Sequence, residues 1–202
     1  MLSRLQTGVS LIEVIIGLAI MALLLVLGVP QYATFLANAR LKTTTDTLAS
    51  GLNLARAEAV KRNARVEFVL TDEEPIAAVV NALAPSTTGI NWVVREWVPT
   101  SASYNFIEGK AGAEGSGRVD ATSIVITPVT AGTFDGRVTF TGFGSLASAQ
   151  AIQFQITNPS GGACDTTAVR GPMRCLNINV SPGGQIRVCD PKVTAAKDTR
   201  AC

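Results

Sequence analysis

Histidine is absent from all 202 residues. Its absence removes the commonest general base and the commonest metal ligand. No serine has a histidine to activate it, and no lysine stands in an S-x-x-K context, so no nucleophilic catalytic set emerges. A dominant charge is lacking too. The formal net charge is +2, which gives no global argument for nucleic acid or for acidic substrates. Cysteine is missing from the first 163 residues, and no second long apolar run follows the one in residues 9–30. The Gly-rich "GAEGSG" in residues 99–120 follows no clear strand and opens no helix, which argues against a phosphate loop. Asp72, Glu73 and Glu74 lack the spaced oxygen ligands of a cation loop and read as a solvated turn. The chain is therefore not read as an enzyme, and neither metal nor cofactor is expected.

What is present begins with one apolar run. Residues 11–29 read LIEVIIGLAIMALLLVLGV, and Glu13 is the single charge among them. About 20 such residues cross the ~30 Å hydrocarbon core as a helix. A charge at the bilayer centre costs roughly 2.5–3.5 kcal/mol on insertion scales, so a residue kept there calls for a partner. A secretory signal ends in a small-residue cleavage site after its apolar stretch. Here the short n-region MLSRLQTG carries one positive charge, Arg4, and its small residue, Gly8, precedes the run. An uncleaved signal anchor fits the apolar length but explains neither Gly8 nor Glu13.

The stretch Gly8-Val9-Ser10-Leu11-Ile12-Glu13-Val14 resembles the signal of type IV prepilins and type II secretion pseudopilins. The resemblance implies cleavage by prepilin peptidase between Gly8 and Val9, and N-methylation of Val9. It places Glu13 where the family carries its glutamate and Pro30 where many members carry a helix-kinking proline. Most members have Phe or Met after the cut, where this chain has Val9. A cut there creates a positive amine close to the Glu13 carboxylate, which the helix N-terminus also favours. Within a filament that carboxylate would neutralise its own amine or a neighbour's, and a subunit docked out of step would leave a buried charge unpaired.

Beyond Pro30, which removes a backbone donor and should bend the helix without ending it, the helical period continues. Leu41, Thr45, Leu48, Leu52, Ala55 and Ala59 alternate spacings of four and three, one face of a helix ending near Arg62-Asn63. Gly51 weakens that reading slightly. As one helix, residues 9–62 would run about 80 Å at 1.5 Å per residue. From Val66 on, short strands take over: residues 65–70, 91–98, 123–127, 137–141, 152–157, 174–180 and 185–189, with "SPGG" at 181–184 turning between the last two. Residues 99–120 read as a long surface loop. "LARAEAVKRN", "VTFTGFGSL" and "MRCLNINVSPGGQIRVCDP" resemble the GspH/FimT-type subgroup. The fold expected is α+β, the type IV pilin fold: a long N-terminal helix, transmembrane in its first half, packed on a C-terminal antiparallel β-sheet domain. The expected parts are a leader peptide 1–8, a transmembrane and assembly half 9–30, an amphipathic half 31–62 and a globular β-domain 63–202.

Cys164, Cys175, Cys189 and Cys202 are separated by ten, thirteen and twelve residues, unlike the close pairs of structural zinc sites. An even, clustered set behind a membrane-targeting segment reads as two disulfides made in an oxidising compartment. Three pairings exist. Turn residues Gly171-Pro172 and Asp190-Pro191 favour Cys164–Cys175 with Cys189–Cys202, and Cys175–Cys189 across the hairpin is the competitor.

By resemblance the function is that of a minor type IV pilin, incorporated in or priming a pilus that serves adhesion or twitching motility. The sibling role is a type II secretion minor pseudopilin. Implied partners are other pilins through the helix, prepilin peptidase and the bacterial inner membrane, with a single pass and a periplasmic C-terminal domain. Some FimT-type relatives capture DNA through a G-R-x-R stretch in the last hairpin. Here it reads Gly184-Gln185-Ile186-Arg187, lacking the first arginine. Arg174, Arg187 and Lys192 remain as candidate DNA contacts, diluted by Asp165, Asp190 and Asp198, so DNA is the less favoured partner.

Overall fold

The computed structural model describes residues 10–87, 89–112, 125–128, 134–148, 150–195 and 197–202, with the side chains of residues 27–30 and 125–128 outside that description. Among the described residues one α-helix, α1 (Leu11–Arg62), is followed by eight strands: β1 (Val66–Thr71), β2 (Asn91–Val98), β3 (Ser103–Lys110), β4 (Val125–Pro128), β5 (Arg137–Phe140), β6 (Ile152–Thr157), β7 (Leu176–Val180) and β8 (Ile186–Cys189). The chain divides into two compact units, one ending at Leu36 and the other comprising Ala37–Cys202. The second unit therefore includes the C-terminal half of α1 together with all the strands.

The strands form two four-stranded antiparallel sheets, in the orders β3-β2-β1-β5 and β4-β6-β7-β8. Leu41, Thr45, Leu48, Leu52, Ala55 and Ala59, the stripe read from spacing, are all buried. They join Val66, Phe68, Leu70, Trp92 and Val94 of the first sheet and Phe154, Ile156, Ile178 and Val180 of the second in one core. Thr45 is tolerated there because its hydroxyl donates to the Leu41 carbonyl at 2.9 Å. Gly51 weakens helix propensity but is needed for packing. A Cβ at this position would lie 2.8 Å from Phe68 Cε2 and 3.1 Å from Trp92.

The helix stops in a Schellman motif. Asn63 takes φ +49°, its amide bonds the Val60 carbonyl, and the Ala64 amide bonds the Ala59 carbonyl. Lys61 and Arg62 in the last turn both reach Glu58, and Arg62 also reaches Glu96 of β2. The Arg62 hydrogen bond, then that of Lys61, holds the Glu58 carboxyl below its usual range.

One expectation is corrected. Residues 99–120 are not wholly a surface loop, because β3 (Ser103–Lys110) pairs with Trp92–Val98 of β2. The register shifts between Val94 and Arg95, leaving Ile107 as an extra residue on β3. Before this bulge Tyr104 and Phe106 lie on the outer side of the sheet, and past it Glu108 and Lys110 stand opposite Val94 and Trp92, whose side chains belong to the main core. Period-two alternation is broken in mid-strand, so the segment carries no clean pattern.

On the outer side of the first sheet, Val69, Val80, Leu83 and Val93 form a second small core. Arg95 and Glu67, opposite each other in register, are buried beside it and paired at 3.0 Å.

Candidate functional site: the exposed helix and the C-terminal hairpin

In the first unit α1 starts with a side-chain cap. Ser10 Oγ accepts from the Glu13 amide at 3.3 Å, and the Ser10 carbonyl accepts from the amides of Glu13 and Val14. Ser10-x-x-Glu13 has the spacing of a capping box, a signal legible in the sequence ahead of an apolar run and missed there. Glu13 thus has a local role as an N-terminal helix residue, besides any role between subunits. Gly8 and Val9 lie outside the described residues. Pro30 falls inside α1, which runs through it, and its side chain lies outside the described residues.

Residues 11–26 are exposed on every side of the helix, from Leu11 at 81% to Val26 at 73%. A helix apolar all round belongs inside a large core or a membrane. By length and composition α1 suffices to cross one.

In the second unit Cys164 is bonded to Cys175, and Cys189 to Cys202. Cys189 faces Asn177 on β7 rather than Cys175, so the hairpin register does not bring the competitor pair together. The hairpin turns where "SPGG" stands: Gly184 takes φ +79°, and the Ser181 amide bonds the Gln185 carbonyl. Asn38 of α1 pins the first disulfide loop, accepting from the Arg174 amide at 2.7 Å and donating to the Pro172 carbonyl at 3.2 Å. No motif announced that contact.

The three candidate DNA cations do not converge on a common target, and each has an internal acceptor. Arg174 Nε donates to Asp190 at 2.8 Å. Arg187 donates to the carbonyls of Thr199 and Ala201 at 2.7 and 2.9 Å. Lys192 pairs with Asp165. Arg187 also borders an open groove of about 460 Å³ with Gln153, Asn179 and Gln185. At the end of the chain Arg200 pairs with Asp198 and holds its carboxyl down to about 2.

The two Gly-containing turns meet. Leu146 donates to the Pro182 carbonyl at 2.9 Å, and Arg56 Nε of α1 donates to the Gly144 carbonyl at 3.2 Å. The "TGFGS" and "SPGG" motifs are thus two sides of one joint between the sheets, closed by the helix. Among the described residues, no group of three or more Cys, Asp or Glu side chains is arranged to hold a metal ion.

A solved structure with the same arrangement is the type IV minor pilin FimU of Pseudomonas aeruginosa, at 16% identity and a TM-score of 0.53, covering 82% of this chain and 98% of that one. A second crystal form of it matches with a TM-score of 0.48 at 14% identity, covering 78% of this chain and 98% of that one. The minor pseudopilin EpsH from the type 2 secretion system of Vibrio cholerae matches with a TM-score of 0.44 at 8% identity, covering 75% and 98%. No curated protein matches the sequence. The fold is that of the pilin-like proteins, with one long N-terminal helix packed on an antiparallel β-domain. Residues 44–192, about three quarters of the chain, match the family described as type II transport protein GspH, and the chain belongs to that family.

Proposed function

We propose that this chain is a minor pilin, a non-catalytic subunit that enters or primes a type IV pilus. The observation that carries this reading is the exposed helix: every residue from 11 to 26 faces outward, and Glu13 is the one charge among them. Such a surface is stable only in lipid or against like helices. In this reading prepilin peptidase cuts between Gly8 and Val9 and methylates Val9. The chain sits once in the bacterial inner membrane with its β-domain in the periplasm. Glu13 then pairs with an N-terminal amine as the subunit joins its neighbours, and Pro30 bends the helix where it leaves the bilayer. The two disulfides favour the pilus, because a subunit carried outside the cell benefits from covalent staples in its most loop-rich segment.

A second reading, a minor pseudopilin of a type II secretion system, is supported by the description of the matched family. One experiment addresses both. Glu13→Ala makes the helix more apolar, so membrane insertion should persist while incorporation fails. Pili are counted and secretion of exported enzymes is assayed in the same cells. Lost pili with normal secretion supports the pilus, the converse supports the secretion system, and no change in either removes both.

A further inference from the structure

Val169 is 53% exposed at the tip of the first disulfide loop, and the exposed Arg170 follows it. The loop is fixed at both ends. Cys164–Cys175 closes its base, Met173 is fully buried in the core, and the Asp165 amide donates to the Met173 carbonyl at 2.6 Å. At the tip the Thr166 amide donates to the Val169 carbonyl at 2.7 Å, and the Val169 amide donates to Thr166 Oγ1 at 3.1 Å. Asn38 of α1 ties the loop to the helix through Pro172 and Arg174. Between the apolar run and Asn38, Tyr32 and Phe35 are 64% and 67% exposed. Aromatic side chains in that position mark the headgroup level of a bilayer. Three residues separate Phe35 from Asn38, a reach of at most about 10 Å. Arg40 and Lys42 follow, about 8 and 11 Å beyond Phe35 along the helix, which is close to the screening length of ~10 Å at 0.1 M salt. Arg40, Lys42 and Arg170 have no acidic partner among the described residues.

We propose that the loop tip Val169-Arg170, together with Arg40 and Lys42, docks on an anionic lipid surface, that of the membrane which α1 crosses. The inference rests on the membrane reading of α1 above and adds a second contact with the bilayer, made outside the apolar run. Two features select lipid. An apolar tip beside a cation suits a bilayer surface, because the apolar group enters the headgroup boundary while the cation meets the phosphates. The acids of the same loop region are neutralised, Asp165 by Lys192 and Asp190 by Arg174, which leaves Asp46, one turn beyond Lys42, as the nearest unpaired acid along the helix. Arg40 also lies on the opposite side of the helix from Asn38 and the loop. A protein seated on the loop would miss it, whereas a bilayer surrounds the helix on every side. Docking holds the loop against the bilayer, and the contact is given up when the subunit leaves the membrane.

The test uses the full chain reconstituted in vesicles at high dilution, with the environment-sensitive fluorescent amino acid Anap at position 169 and, separately, at position 23 in the apolar run. In vesicles of phosphatidylglycerol mixed with phosphatidylcholine, the probe at 169 should shift to shorter wavelength and be quenched by spin labels carried on lipid headgroups. In phosphatidylcholine alone, or when about 1 M salt shortens the screening length to about 3 Å, the signal should return to that of water. Arg40→Gln and Arg170→Gln should each lower the ratio of docked to free probe about fivefold, the factor expected for one cation at an anionic surface, and together about twenty-five-fold. Neither should change the melting temperature, because neither side chain has an acidic partner in the fold. A probe at 23 in lipid, with the probe at 169 in water in both kinds of vesicle, would overturn the docking and leave the membrane reading standing. Equal docking on neutral vesicles would overturn the choice of an anionic surface. A shift that appears only with many copies in each vesicle would assign the loop to a second copy and overturn lipid as its partner. A probe at 23 in water would overturn the membrane reading along with the docking.

Discussion

The guanidinium of Arg95 serves three partners at once. It bonds Glu67 on the neighbouring strand at 3.0 Å, donates to the Val80 carbonyl at 3.0 Å, and lies 3.7 Å from the centre of the Tyr104 ring. Tyr104 in turn donates its hydroxyl to Glu67 at 3.3 Å. The Val80 contact ties the segment after β1 over the outer face of the first sheet, so one side chain holds a covering loop and a strand pair together. Arg95 is only 3% exposed. A buried pair adds little net stability over apolar residues, but removing one partner strands the other charge, at a cost of about 3–5 kcal/mol. Arg95→Ala should therefore lower the midpoint of urea unfolding steeply, whereas Glu67→Leu combined with Arg95→Met should recover much of the loss. Arg95→Lys should recover little, because a compact ammonium cannot reach Glu67 and Val80 together or stack on Tyr104. If the single and double variants unfold at the same urea concentration, the pair does not couple these elements.

At the scale of elements, the C-terminal segment shows what disulfides hold in place. β8 is an edge strand, and the residues after it fold back along it. The Asp190 amide donates to the Arg200 carbonyl at 2.7 Å, Asp190 bridges to Ala201, and Arg187 grips the Thr199 and Ala201 carbonyls. Cys189–Cys202 closes this loop, and each bridge should contribute about 3 kcal/mol in the chain-entropy account of a 15-residue loop. Proteolysis without reduction should release Cys189 linked to Cys202 and Cys164 linked to Cys175, and a peptide joining Cys175 to Cys189 would contradict both. The loop should also respond to acid. Arg200 lowers the Asp198 carboxyl from its ordinary 3.8 to about 2. A depressed carboxyl contributes stability above its unfolded value and loses it as pH falls through the folded one. Hydrogen exchange of the Asp190 and Ala201 amides should thus quicken between about pH 4 and pH 2, relative to the intrinsic rate, and Arg200→Gln should abolish that step.

The same scale shows what could be read beforehand. The buried stripe from Leu41 to Ala59 and the bounds of β2 and β6 were legible, because a face packed on one core imposes a strict period. The helix stop was legible too, since Asn63 follows two basic residues. β3 was not legible, because the bulge at Ile107 swaps which residues face the core. Neither the Glu67–Arg95 pair nor the Asn38 contact follows from local pattern, since each depends on register or on a loop 134 or more residues away.

For the molecule as a whole, the sharpest alternative to a purely structural subunit is DNA capture, and the charge map makes it testable. The chain carries a net +2. The cations nearest the last hairpin are committed: Arg174 to Asp190, Arg187 to two carbonyls, and Lys192 to Asp165. A phosphate would have to displace those acceptors, two of which are carboxylates that would then repel it. Were all three cations free for phosphate, affinity would fall about fortyfold between 50 and 200 mM salt, since the slope is near −0.9 per phosphate neutralised. The expected result is no salt-sensitive binding of duplex DNA at micromolar protein. Gln185→Arg restores the first arginine of the G-R-x-R stretch on the rim of the open groove, where no acidic partner of that side chain is found among the described groove residues. That variant should gain weak binding with a slope of about one, because it adds a single uncommitted cation. Tight, salt-steep binding by the unaltered chain, lost in Arg187→Gln, would show that the hairpin releases its internal acceptors for DNA, and a pilin of the DNA-capturing kind would replace the structural reading.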